Sequence, residues 1–242
     1  FSPDGLRWRS PEPVPELGRG WISAAPRRAA LPLSEQKMDA LFFRAAVPGS
    51  CTMYVRLEAI ESRTGWELQP FLSATETEMN AHPPCAIILD LRGNGGGDYT
   101  NMWHFTHVLP GLIRPNGHIY VLTDSGTFSA AITTTAFAKD AGGAKAIIIG
   151  EPVGDRLSFY SEGGGASLPN SGFSLSFETG KHDYAHPCDD WRNCYWVNWF
   201  YPVRVKTLAP DIAVPARFSD WYEGRDPAFE TAVALAAQQD RS

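Results

Sequence analysis

The chain has 242 residues, of which 43% are hydrophobic and 20% are charged, as in globular domains that bury a core. It has 21 Lys and Arg against 27 Asp and Glu, a formal charge of −6 without a basic stripe, which argues against a nucleic-acid-binding protein. Its apolar runs are far shorter than the roughly 18 residues that a spanning helix needs, so no membrane span is expected.

The amino-terminal residues 1–33 are irregular and proline-rich, and we interpret them as an extended arm ahead of one domain over residues 34–242. Residues 34–46 carry apolar side chains at helical spacing behind Ser34, a residue type that caps helices, so a helix is predicted there. Residues 52–60 alternate apolar and polar side chains, which predicts a strand.

The middle of the chain alternates short apolar runs with helical segments. Strands are predicted at residues 85–91, 118–123 and 146–149, and helices up to residue 110 and over residues 127–140. This β-α-β-α-β order requires a parallel sheet with covering helices, so the predicted fold class is α/β. A half-exposed strand is predicted around residues 173–177, and a last helix begins at Asp226.

The four cysteines fall into two pairs. Cys188 and Cys194 close a short polar loop, whereas Cys51 and Cys85 each precede a predicted strand and could meet at the same end of a sheet. Two disulfides would indicate an oxidising compartment, so we expect a secreted or periplasmic protein. The alternative for the second pair is a zinc site, whose further ligands would be His182, His186 and Asp189. The disulfide is the favoured interpretation, and neither a metal nor a cofactor is predicted.

A glycine-rich turn over residues 92–98 follows the first strand of the central run. Consecutive glycines at the carboxyl end of a strand let backbone N–H groups point at an anion, either a phosphate or the oxyanion of a reacting carbonyl. The spacing matches neither the dinucleotide-binding fingerprint nor a lysine-containing phosphate loop. A plain tight turn is the other interpretation of this segment.

Ser129 begins the helix that follows the next predicted strand. At this position the helix dipole and the free N–H groups stabilise a developing negative charge, although a serine there can also be a simple helix cap. Both turns follow parallel strands, so they should meet in the crevice outside the strand ends. The sequence has no Gly-x-Ser-x-Gly elbow, which weakens an α/β-hydrolase interpretation.

Three of these segments, in order, resemble signatures of the S41 serine peptidases, the tail-specific or C-terminal-processing protease family. Residues 87–97 resemble the family's ILDLRxNxGG motif, residues 127–131 its TxSAA motif, and residues 149–154 its VGEPTxG motif. The resemblance implies a ClpP/crotonase-like α/β core and a peptide or protein substrate. It also implies a nucleophile and a backbone oxyanion hole, namely Ser129 with Gly95, Gly96 and Ala130.

The base that the family uses is missing from its two usual positions. The segment after VGEPTxG holds Arg156 and no lysine, and Arg56 stands where the tricorn branch has a histidine. Arginine stays protonated and cannot act as a base. Residues 154–172 resemble secreted members without a PDZ domain, and there Glu162 is the predicted base, with Asp155 as the second candidate. A solvated turn residue is the other interpretation of Glu162.

The sequence therefore predicts a serine-type peptidase that acts through an acyl-enzyme. The first alternative is a non-catalytic binding protein, since retinoid-binding proteins are built from S41-like repeats and both usual bases are missing. An acyl-CoA enzyme of crotonase type is the second, and it would need no nucleophilic serine. The aromatic side chains over residues 191–201 could form a ligand platform or pack in the core. The oligomeric state is not predicted.

Overall fold

The computed structural model describes residues 31–186, 188 and 190–239. Its strands are β1 (Phe42–Ala46), β2 (Thr52–Leu57), β3 (Ala86–Asp90), β4 (His118–Thr123), β5 (Ala146–Gly150), β6 (Ser158–Ser167), β7 (Ser174–Asp183) and β8 (Ile212–Ala213). Its helices are α1 (Leu68–Ala81), α2 (Trp103–Leu112), α3 (Ala130–Gly142), α4 (Phe218–Glu223) and α5 (Pro227–Gln239). All but the last three residues of the predicted arm lie outside the described residues.

Six strands form one sheet in the order β1-β2-β3-β4-β5-β8, and every neighbouring pair except β1 and β2 is parallel. Alternate side chains of β3 enter two different apolar cores, as a strand covered on both faces requires. Ile87 and Leu89 pack with α1, α2 and α3, whereas Ile88 packs with α5. The predicted α/β class is confirmed.

The central elements follow the sequence prediction closely, and β4 has the predicted bounds. The predicted strands correspond to β3, β4 and β5, and the last helix to α5. Helix α1 was not predicted, although its buried side chains recur on one helical face, at Leu68, Leu72, Thr75 and Met79.

The predicted helix over residues 34–46 is wrong. The buried Arg56 guanidinium donates hydrogen bonds to main-chain carbonyl oxygens that such a helix would use internally, those of Ser34, Gln36, Lys37 and Ala40. Residues Phe42–Ala46 pair instead with β2 as an edge strand. The buried charge of Arg56 needs these hydrogen-bond acceptors, and this need outweighs the helical spacing of the apolar side chains in residues 34–46.

Strands β6 and β7 form a separate two-stranded antiparallel ribbon. The strand predicted around residues 173–177 is confirmed within β7, but its apolar side chains are exposed, with Phe177 at 53%. Only the end of the ribbon nearest the sheet is buried, through Phe159 and His182. The ribbon therefore depends on the main sheet at one end and projects from it at the other.

Both predicted disulfides are present, with Cα–Cα separations of 5.3 Å for Cys51–Cys85 and 5.9 Å for Cys188–Cys194. The second bond uses both thiols that the zinc alternative required, and Asp189 lies outside the described residues. Within the described ranges, no cluster of three His, Cys, Asp or Glu side chains could hold a metal ion. No helix in those ranges is both long and apolar enough to cross a bilayer.

Candidate active site

Ser129 lies in the turn between β4 and α3, directly before the first residue of the helix. Its backbone has φ 51° and ψ −123°, a conformation that L-residues with side chains rarely adopt. Among the described non-glycine residues, only Lys37, Ser129 and Glu162 have positive φ. Two of these three are the predicted nucleophile and the predicted base, and strained backbone of this kind clusters at functional sites.

The turn that carries Ser129 is tied to the turns that follow both neighbouring strands. The Thr127 hydroxyl donates to the Leu91 carbonyl at 2.9 Å, and the Phe128 N–H donates to the Asn94 carbonyl at 2.9 Å. On the other side, the Gly154 N–H donates to the Thr127 carbonyl at 2.9 Å. The surrounding backbone thus holds Ser129 in its strained conformation.

The glycine turn lies directly against the nucleophile. A Cβ atom on Gly96 would stand 2.7 Å from the Ser129 Cβ, 3.0 Å from its Oγ and 3.1 Å from the Ala130 nitrogen, so no side chain fits there. The Gly96 N–H donates to the Asn94 Oδ1 at 2.9 Å. Within the described residues, the N–H groups of Gly95 and Ala130 have no hydrogen-bond acceptor. The turn therefore presents free backbone donors beside the serine hydroxyl.

Neither candidate base is hydrogen bonded to Ser129, and no described side chain bonds its hydroxyl. The Asp155 carboxylate accepts from the Arg156 N–H at 2.7 Å, within its own loop after β5. Glu162 has φ 56° in the middle of β6, where the ladder skips from Ser161–Gly180 to Gly163–Glu178. The ribbon is therefore locally distorted at the predicted base.

The negative charge of the Glu162 carboxylate contributes to raised pKa values at three tyrosines, Tyr99, Tyr184 and Tyr195. Burial raises the pKa of Tyr99, and the negative charges of Glu162 and Asp98 raise it further. Burial also raises the pKa of Tyr195, again with contributions from Glu162 and Asp98. Burial raises the pKa of Tyr184, and the charge of Glu162 also raises it. The Tyr184 hydroxyl is hydrogen bonded to the Thr133 hydroxyl, one turn into α3 from Ser129. Tyr99 and Tyr184 in turn contact α3, at Phe137 and Thr133.

A buried polar network that the sequence did not reveal lies under Glu162, centred on His182, which is 1% exposed. Its Nε2 is 2.8 Å from the Ser161 Oγ, and its Nδ1 is 3.2 Å from the Tyr184 hydroxyl and 3.3 Å from the Asn198 Nδ2. Burial lowers the pKa of His182 to about 4, so the ring is neutral at neutral pH. The sequence offered His182 only as a zinc ligand.

A cleft of about 770 Å³ borders the glycine turn at Gly93 and Gly95. It lies outside the carboxyl ends of β3, β4 and β5, where open α/β sheets bind their ligands. One wall is an ion-paired group in which Arg92 binds both carboxylate oxygens of Asp226 at 2.8 Å and also contacts Asp90. Gly95 is the candidate oxyanion residue that lines this cleft, whereas Ser129, Gly96 and Ala130 are not among its lining residues.

No family model and no curated protein matches the sequence. A solved protein from Parabacteroides merdae ATCC 43184, assigned as a peptidase, is 18% identical with a TM-score of 0.52, covering 81% of this chain and 64% of that one. Mature CPAF complexed with lactacystin is 12% identical with a TM-score of 0.51, covering 78% of this chain and 52% of that one.

A Bacteroides fragilis NCTC 9343 protein assigned as an S41 protease is 14% identical with a TM-score of 0.46, covering 81% of this chain and 57% of that one. The chain thus spans less than two thirds of each of these three structures. The likeness to the first two shows that the chain has a fold found among peptidases.

Proposed function

We propose that the protein is a serine hydrolase, and specifically a peptidase, with Ser129 as its nucleophile. The observation that carries this proposal is the strained Ser129 backbone at the start of α3, packed against Gly96 and beside the free Ala130 N–H. A strained serine between free backbone donors and a helix N-terminus is suited to attack a carbonyl group. The likeness of the fold to that of peptidases supports the same reaction class.

In the proposed reaction the Ser129 Oγ attacks the carbonyl carbon of a peptide bond and loses its proton to a base. The resulting oxyanion accepts hydrogen bonds from the free N–H groups of Ala130 and Gly95, whereas the N–H of the third predicted donor, Gly96, is bonded to the Asn94 Oδ1. The amine then leaves with a proton, and water hydrolyses the acyl-enzyme to free the serine and a carboxylic acid. The dipole of α3 favours the negative charge at this end of the helix.

Glu162 is the proposed base, and Asp155 is the second candidate. The positive φ of Glu162 and its effect on the tyrosines near α3 support the first choice. Catalytic hydrogen bonds are often long before substrate binds, so the lack of a hydrogen bond to Ser129 is compatible with this role.

The likeness of the fold to that of peptidases supports a peptide or protein substrate, and the cleft beside Gly95 offers a place to bind it. The two disulfides support an oxidising compartment, and we place the protein outside the cytoplasm, secreted or periplasmic. One catalytic domain over residues 34–242 is supported by the single main sheet that most of the described elements share.

A non-catalytic binding protein is the second candidate function. It is favoured by the lack of any hydrogen bond from Ser129 to a base within the described ranges and by the size of the adjacent cleft. Such a protein would keep a ligand in the cleft and would not form an adduct with serine-directed reagents.

Labelling with a fluorophosphonate probe tests the proposal, because only an activated serine forms the covalent adduct. We expect the wild type to be labelled and Ser129→Ala to lose labelling by more than about 1,000-fold. Ser73→Ala, which changes an exposed serine on α1, is the matched control and should label like the wild type. Comparing Glu162→Gln with Asp155→Asn identifies the base. An unlabelled wild type, or labelling that persists in Ser129→Ala, contradicts the proposal.

A further inference from the structure

The donor and acceptor roles in the hydrogen-bond network around His182 follow from the atoms that face each other. The Tyr99 hydroxyl donates to the Asn198 Oδ1 at 2.7 Å, so the amide nitrogen of Asn198 faces the His182 Nδ1 at 3.3 Å. An amide nitrogen can only donate, so with Asn198 in this orientation the His182 Nδ1 accepts. The ring proton of a neutral His182 then sits on Nε2.

The proton on Nε2 fixes the role of the next residue. His182 donates from Nε2 to the Ser161 Oγ at 2.8 Å, and Ser161 keeps its own hydroxyl proton. That proton is directed at the Glu162 Oε1, 3.4 Å away. The pair is therefore not a second nucleophile and base, because a proton already occupies the histidine nitrogen that would have to deprotonate Ser161.

Glu162 has little else to fix its side chain. It is exposed, it lies outside the hydrogen-bond ladder of the ribbon, and Gly163 to Gly165 follow it without side chains. The network, in contrast, is buried and reaches α3 through the contact between Tyr184 and Thr133. A buried network thus connects the exposed Glu162 to α3, the helix that follows Ser129.

We propose that His182 and Ser161 are positioning residues that hold the Glu162 carboxylate in one orientation. This inference rests on the proposed function and on Glu162 as its base. His182 acts through Ser161 and does not touch the substrate. Removing the Ser161 hydroxyl should slow the chemical step without weakening the binding of a probe, because only the orientation of the base changes.

A double-mutant cycle tests this coupling. In the wild-type background, Ser161→Ala should lower the saturating labelling rate about 10-fold, as expected for a lost hydrogen bond to a charged group, with half-saturation unchanged. In the Glu162→Gln background, the same change should have no further effect. Ser161→Thr keeps the hydroxyl and should retain the rate, as should the control Ser176→Ala on the exposed part of β7. Equal losses in both backgrounds overturn the proposal.

The ¹⁵N NMR shifts of the His182 ring test the direction of the network without any activity. We expect the neutral tautomer with its proton on Nε2, and a proton signal that exchanges with water faster in Ser161→Ala. The opposite tautomer, or an unchanged signal in Ser161→Ala, overturns the inference. An unlabelled wild type would contradict the hydrolase proposal, and these spectra would still decide whether the network is built as inferred.

Discussion

The parallel sheet and the ribbon carry the two halves of the candidate site, and they hold their residues by different means. The turn with Ser129 is fixed by main-chain hydrogen bonds to the turns after β3 and β5. Glu162 lies on a strand with one partner, and its carboxylate is bonded by the adjacent Ser161, which His182 supports from the other strand. The proposed nucleophile is therefore held by the backbone, whereas the proposed base depends on a network that single substitutions can break.

The two disulfides allow the two regions to be weakened separately. Cys51–Cys85 joins residues 34 apart beside the main sheet, and Cys188–Cys194 joins residues 6 apart near the ribbon. From the loop-entropy relation, replacing both cysteines by alanine should lower the free energy of unfolding by about 4 kcal/mol for the first pair and about 2 kcal/mol for the second. Denaturant titration under oxidising conditions measures both values. A larger loss from the second pair would contradict this ranking.

A buried histidine of the ribbon and a buried ion pair beside the sheet titrate in different pH ranges, so the pH dependence of stability separates the two regions. Burial lowers the pKa of His182 to about 4, against about 6.5 for an exposed histidine. Between about pH 6.5 and 4, His182 is protonated in the unfolded chain but stays neutral in the folded protein. The free energy of unfolding should therefore fall by about 3 kcal/mol between about pH 6.5 and 4. Thermal or denaturant unfolding across this range should show the slope, and His182→Gln should lose it.

Asp226 provides the control for that experiment, because it titrates in a lower window. Although burial opposes it, the Arg92 guanidinium lowers the pKa of Asp226 to about 2. The stability that this pair contributes is present above about pH 3.8 and is lost as the pH falls towards 2. Asp226→Asn should leave the slope between pH 6.5 and 4 intact. If it removed that slope, the assignment to His182 would be wrong.

The sheet half of the site can be tested at the contact between Gly96 and Ser129. Gly96→Ala places a methyl group 2.7 Å from the Ser129 Cβ and should reduce labelling by about 100-fold, the usual effect of disturbing an oxyanion site. Gly49→Ala is the matched control, since Gly49 also has positive φ but has no atoms within 4 Å of the added carbon. The control should label normally. Equal labelling of both variants would show that Gly96 does not contact the reacting group.

The sequence predicted the features that local patterns specify. Strands β3, β4 and β5 are short apolar runs in the sequence. The glycine turn follows β3, and the turn with Ser129 follows β4. The prediction of a helix over residues 34–46 was wrong because the Arg56 guanidinium, which is distant in sequence, donates hydrogen bonds to the carbonyl oxygens of this segment. The network around His182 was missed for the same reason, since it joins Tyr99 to Asn198 across 99 positions of the chain. Side-chain networks leave no periodic signal, so only the folded geometry reveals them.

The strained turn at Ser129 has a consequence for the life of the newly made chain. No local preference favours its left-handed backbone, and the bonds that impose it come from segments that meet only when β3, β4 and β5 are aligned. A chain in which these strands are not yet aligned has no contacts that impose this conformation on Ser129. The reactivity that we propose for Ser129 should therefore arise only when the three strands have come together.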